Sequence, residues 1–217
     1  MSLVELMVTV FIAGILLAIV GSFFINVARV TANSNSTTSR SSVAANIMDA
    51  VSKVIRTASN NPIATSEDPD PAVVAATATG LTIISYVDTN ATTPSPTKVT
   101  YRVDASGNLI EDRYASTATN NYWVFGTTAA SRTVGGPILT PTGTNALFVY
   151  LDGDNQVIVA AGPIVNGNAT LTLEQRESVA SIKVSIQIAN TLTTGSDPIL
   201  LVNTVGMPNL RLSRTDN

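Results

Sequence analysis

The chain contains neither cysteine nor histidine. The first absence excludes a disulfide staple and thiol chemistry. The second removes the usual general base at neutral pH and the commonest metal ligand. Serine–histidine catalysis and zinc sites built from His or Cys are therefore out of reach. Charge is also scarce: charged residues are 12% of the 217, about half the usual share, and the net charge is −3. No basic face of the kind that neutralises nucleic-acid phosphates can be assembled, so no nucleic-acid partner is expected. No glycine-rich phosphate loop is found either. No cofactor is expected, and the chain does not read as an enzyme; glycoside hydrolysis by paired carboxylates is the chemistry the composition leaves open. Ser, Thr and Asn supply the polar surface. The length suits one compact domain with an appendage.

What is abundant sits at the front. Leu6–Ala28 (LMVTVFIAGILLAIVGSFFINVA) carries no charge, and Arg29 ends the run. About 20 apolar residues at 1.5 Å each cross a bilayer as a helix, and here apolar side chains occupy every face. No Lys or Arg precedes Arg29, unlike the basic start of a cleaved secretory signal. Glu5 stands at the mouth of this run. A carboxylate there is costly to desolvate and needs a partner. One reading pairs it with the α-amino group of Met1, on its own chain or a neighbour's, where it would set the register between subunits. The other leaves it in the headgroup layer, helping the helix to start. Gly14 and Gly21 interrupt the apolar helix, each costing about 1 kcal/mol relative to Ala. They read either as close-packing points or as a weak spot where the helix bends.

The stretch MSLVELMVTVFIAGILLAIV resembles the N-terminus of mature type IV pilins and type II secretion pseudopilins. Their pattern is an aromatic residue or Met first, Thr or Ser second, two aliphatics, then Glu fifth. Met1, Ser2, Leu3, Val4, Glu5 and Leu6 match it in order. The resemblance implies an α+β fold, with one long N-terminal helix packed on an antiparallel β-rich globular head. It implies a chain processed by a prepilin peptidase and methylated at Met1. It implies storage in the cell membrane, extraction by an inner-membrane assembly platform, and packing into a homo-oligomeric surface filament outside the cell. Two departures stand out: the proline common near the position of Ser22 is missing, and a C-terminal disulfide loop is excluded. A minor pseudopilin of a secretion system is the alternative within the family. A membrane-anchored extracellular binding domain is the alternative outside it.

Three segments follow from the pattern: 1–28 as the membrane and filament-core half of the helix, 29–61 as its amphipathic half, and 62–217 as the head. Thr31–Ser42 (TANSNSTTSRSS) consists of poor helix formers and on its own reads as a linker. Helical periodicity returns at Val43, Ile47, Val51, Val54, Ile55 and Ala58, and Asn60, Asn61 and Pro62 end it. One continuous helix to about Ser59 is favoured over two helices with a polar joint.

The head reads as β meanders. Strands are expected at Leu81–Val87, Lys98–Val103, Asn108–Tyr114, Tyr122–Phe125, Ala146–Leu151, Gln156–Ala160, Val179–Ile188 and Ile199–Val205. Hairpins should turn at Ala105–Asn108 and Asp152–Asn155. Tyr101, Arg102, Val103, Gly107, Leu109, Ile110 and Arg113 also loosely resemble a hairpin of β-rich minor pilins. Asp152, Asp154 and Gln156 alternate as calcium ligands can, but a tight turn explains them better. Glu67, Asp68 and Asp70 read as a solvated loop before a calcium site. Asn35, Asn90 and Asn168 begin Asn-x-Ser/Thr sequons, the glycosylation pattern. Trp123, with Tyr122 and Phe125, reads as core rather than as an adhesive surface patch.

Overall fold

The computed structural model describes residues 2–63, 68–87, 94–120, 122–139, 146–189 and 198–213. It is an α+β molecule in which a single long helix runs into a head of antiparallel sheets. Helix α1, Leu3–Arg56, is 54 residues long, about 80 Å at 1.5 Å per residue. It passes through the Thr31–Ser42 stretch without a break. There the Thr38 hydroxyl donates to the Ser34 carbonyl, and Arg40 Nε donates to the Ser36 carbonyl. Such back-bonds absorb side-chain groups that would otherwise compete with the helix.

The last turns of α1 are amphipathic. Ala44, Ile47, Met48, Val51, Val54 and Ile55 are buried, the three-and-four spacing of a core-facing stripe. They pack against strands of both main sheets. The first sheet has the order β1 (Val73–Ala76), β2 (Leu81–Ser85), β3 (Thr97–Val103), β4 (Leu109–Tyr114), β7 (Ala130–Gly135). The second has the order β12 (Ile199–Gly206), β11 (Ser181–Ile188), β8 (Phe148–Leu151). All pairings are antiparallel. Two hairpins stand outside them: β5 (Ser116–Thr119) with β6 (Tyr122–Phe125), and β9 (Ile164–Val165) with β10 (Asn168–Ala169). A short helix α2, Leu173–Glu177, and a 3-10 turn, Pro208–Ser213, complete the described elements.

Strand β11 shows why these runs are strands. Ile182, Val184, Ile186 and Ile188 are all buried while Lys183 is exposed, the period of two that a half-buried strand requires. On β7 the reason is different. A Cβ at Gly135 would lie 2.8 Å from Ile47 Cγ1, so this edge strand reaches the helix through backbone.

Several expectations are corrected. The helix ends at Arg56, with Thr57 as its cap, rather than near Ser59. Ala58 already bridges to Ser85 and Ser59 donates to the Ile84 carbonyl, so the sheet captures the chain first. Gln156–Ala160 is not a strand: it returns past β8 with a single bridge, Val157 to Leu151. Strands β1, β5 and β7 were not expected; their sequences, VVAA, STAT and ASRTVG, show no apolar alternation. Trp123 is half-buried on the β5–β6 hairpin and is outside the core.

Candidate functional site

The most unusual surface is the first half of α1. From Leu3 to Val30 every residue is exposed. An 18-residue window there has mean hydropathy 2.7 with none of it buried. The helix is thus long and apolar enough to cross a membrane; Leu6–Ala28 alone spans about 35 Å at 1.5 Å per residue, against a hydrocarbon core of about 30 Å. Its two hydroxyls are internally satisfied. The Thr9 and Ser22 hydroxyls donate to the Leu6 and Ile19 carbonyls, each at 2.8 Å. That is what a hydroxyl in hydrocarbon needs. A Cβ at Gly14 or Gly21 would meet nothing within 4 Å, so both leave an open notch where another helix can approach closely.

At the start of this helix Ser2 and Glu5 form a capping box. Glu5 N–H donates to Ser2 Oγ and Ser2 N–H donates to Glu5 Oε2, both at 3.4 Å. The box satisfies two of the amides that a helix N-terminus leaves open. Within the chain, then, the Glu5 carboxylate is turned back on its own helix. Met1 lies outside the described residues, as do Asn90 and Glu67.

The other sites foreseen from sequence resolve into local structure. Asp152 Oδ1 accepts from the amides of Asp154 (3.0 Å) and Gln156 (2.8 Å), and Asn155 sits at φ 62°. Asp104 repeats the arrangement: its Oδ1 accepts from Ser106 and Asn108 N–H, both at 2.8 Å, with Gly107 at φ 81°. Each aspartate closes a turn whose fourth position is left-handed, so Gly and Asn stand there. Hydrogen bonds from these amides hold the Asp104 carboxyl below its ordinary value. Among the described residues, no three carboxylates converge as a metal site. Asn35 is exposed on α1, whereas Asn168 Nδ2 donates to Thr79 Oγ1 and to the Asn166 carbonyl.

One constellation escaped the sequence reading. Glu111 on β4 is fully buried on the sheet face that meets α1. It lies in register between Tyr101 on β3 and Arg132 on β7. The Tyr101 hydroxyl donates at 2.8 Å, Arg132 donates at 2.7 Å and 3.0 Å to the two carboxylate oxygens, and Arg113 Nε also donates. Burial pushes the Glu111 carboxyl up, but the bonds from Arg132, Arg113 and Tyr101 outweigh it and leave the group below its usual range. Burial, then the Glu111 charge, push the Tyr101 phenol far up. The cluster can hold a charge inside the head; it presents no group free to exchange a proton near neutral pH. Only pairing across three strands assembles it, and β7 has no sequence signal of its own.

Comparisons with protein-family models and with curated proteins find no match to this chain.

Proposed function

We propose that the chain is a structural subunit of a type IV pilus-like filament, held in the membrane by the first half of α1 and then packed helix against helix with other copies. The observation that carries this reading is the bare apolar half of α1. Large side chains from Leu3 to Val30 are about 45–73% exposed. Fully burying one such side chain is worth about 1.5–3 kcal/mol, so covering the set is worth tens of kcal/mol. A domain's whole net stability is about 5–15 kcal/mol. This surface therefore calls for lipid, for sister helices, or for one after the other.

Glu5 supports the second stage. A carboxylate already bonded to its own helix start still has acceptor capacity for a neighbour's α-amino group, and that pairing would set register. Glu5→Ala should leave membrane insertion intact and abolish filaments in electron micrographs of sheared surface material. Glu5→Ala subunits entering filaments at wild-type yield would sink the register claim. Mass spectrometry of the natural N-terminus should find methylated Met1. If the chain is always recovered as a membrane-bound monomer, the binding-domain reading replaces the filament.

A further inference from the structure

The outer edges of the two main sheets are unequally guarded. Edge strand β1 is four residues long and shifts register. Its Val73 and Val74 carbonyls accept from Arg176, and its Ala76 carbonyl accepts from the Leu171 amide. Edge strand β7 turns Arg132 back onto Glu111, and its pairing with β4 shifts register at Leu109 and Ile110. Edge strand β8 is four residues long and is bonded by the returning chain at Val157 and Ile158. Short length, bulges, inward charges and cover are the means by which sheets keep open edges from pairing. Strand β12 has none of them. ILLVNTVG is eight residues without charge or proline, paired to β11 without a register shift.

The unused backbone groups of β12 can be assigned. Met207 N–H donates to the Ala180 carbonyl, and Ser185 N–H donates to the Leu147 carbonyl on the far side of β11. Alternate residues of an antiparallel strand face alternate neighbours. Ile199, Leu201, Asn203 and Val205 therefore bond to β11. Leu200, Val202, Thr204 and Gly206 turn their amides and carbonyls outward, where nothing among the described residues bonds to them. Leu200 and Val202 are also 50% and 44% exposed. Between α1 and this strand runs a groove of about 520 Å³, lined by Asp49, Ser52, Lys53 and Arg56 on one side and Leu201 and Asn203 on the other. Ser52 is buried, yet its Oγ has no hydrogen-bond partner, a state that a bound polar group would relieve. Asp49, Lys53 and Arg56 make no ion pair among the described residues.

We propose that β12 and this groove form a strand-addition site for an extended segment of another protein. Only an extended backbone repeats N–H and C=O groups at the spacing that Leu200 to Gly206 presents. The added strand lies about 4.8 Å outside β12, and its side chains alternate between two surroundings. One set covers Leu200 and Val202 and is apolar. The other enters the groove beside Ser52 and carries an acid opposite Lys53 and Arg56, two cations against the single Asp49. A second copy is the poorer occupant, because its one unguarded edge among the described residues is β12 itself. Antiparallel β12–β12 pairing is two-fold symmetric about the sheet normal and reverses α1, which packs along that sheet. Two apolar front halves so reversed could not share one membrane. The site stands whether or not the chain forms filaments.

The test uses the full chain in detergent micelles. The probe is a fluorescent, end-blocked peptide of alternating Val and Thr with Glu at the central Thr position. Saturable binding is expected below about 1 mM. Val202→Pro deletes one outward amide and no bond to β11, so it should weaken binding at least about tenfold with the thermal unfolding of the head unchanged. Thr204→Pro should repeat the effect, and carries the comparison should Val202→Pro melt early. Val202→Thr should keep binding. The peptide with its central Glu replaced by Lys should bind more weakly to wild type and equally well to Lys53→Gln/Arg56→Gln. The peptide N-methylated along its pairing edge should not bind. No saturation, full binding by both proline variants, no preference for Glu, or binding of the methylated peptide would each overturn the site and leave the filament reading untouched. A wild-type chain that sediments as a dimer and becomes monomeric as Val202→Pro would assign the edge to a second copy, and overturns the proposal too.

Discussion

The two halves of α1 share one backbone and live in two solvents. Beyond Val43 the helix has a face: Ile47, Val51 and Ile55 are fully buried, while Asn46, Asp49 and Lys53 remain exposed. Before Val30 it has none, because apolar residues surround the axis. A stripe is what a helix needs to lie on one sheet. Apolar cover on all sides is what it needs when apolar surroundings enclose it. The polar stretch between them fits neither setting, and its helix is carried by the ordered turns on both sides.

Substitutions can break or sharpen this contrast. The largest effect is expected from placing a charge in each half. Ile47→Asp buries an unpaired carboxylate between helix and sheets and should unfold the head, a loss of more than about 4 kcal/mol. Ile12→Asp should leave the thermal unfolding of the head unchanged and weaken membrane retention, by the roughly 2.5–3.5 kcal/mol that an Asp costs at the centre of a span. Equal melting curves for the two variants would mean that the halves are not independent.

Next comes the buried acid that ties the first sheet together. Glu111→Gln removes the charge that Arg113 and Arg132 share. Breaking a buried pair costs about 3–5 kcal/mol; because both guanidiniums are half-exposed, about 2–3 kcal/mol is expected in urea unfolding. The pH dependence has a definite sign. The folded carboxyl lies below its ordinary value, so its stabilisation is fully present above the unfolded value of about 4.3. It is lost as pH falls through the lowered folded value. Wild-type urea midpoints should drop across that acid window, and Glu111→Gln should flatten the drop.

Tyr101→Phe should cost about 1–2 kcal/mol by removing one donor to that carboxylate. The smallest effect belongs to Asn155→Gly. It relieves a left-handed residue in the turn that Asp152 closes, and it should change stability by no more than about 1 kcal/mol in either direction.

The long helix, its apolar front and the strands with clean alternation, such as β11, could be read from residues in order, since helix and strand periods are local properties. The turn at Asp104 was equally legible, because Asp and Gly at fixed spacing carry the backbone requirement with them. Edge strand β7 was not. Its residues ASRTVG are placed by pairing with β4 and by Gly135 lying against Ile47. Trp123 misled for a related reason: apolar neighbours mark a buried strand only when a sheet lies over them, and the β5–β6 hairpin stands outside both main sheets.

Sequence alone determined that the front of this chain must leave water, because an uninterrupted apolar surface is unfavourable there whatever the head does. It also determined where Glu5, Arg29 and Arg40 stand along that rod. Tertiary structure decided where α1 stops and that Glu111 is charged yet buried. Those outcomes depend on which strands become neighbours, and contacts between residues far apart in the chain leave no periodic mark in the order of its amino acids.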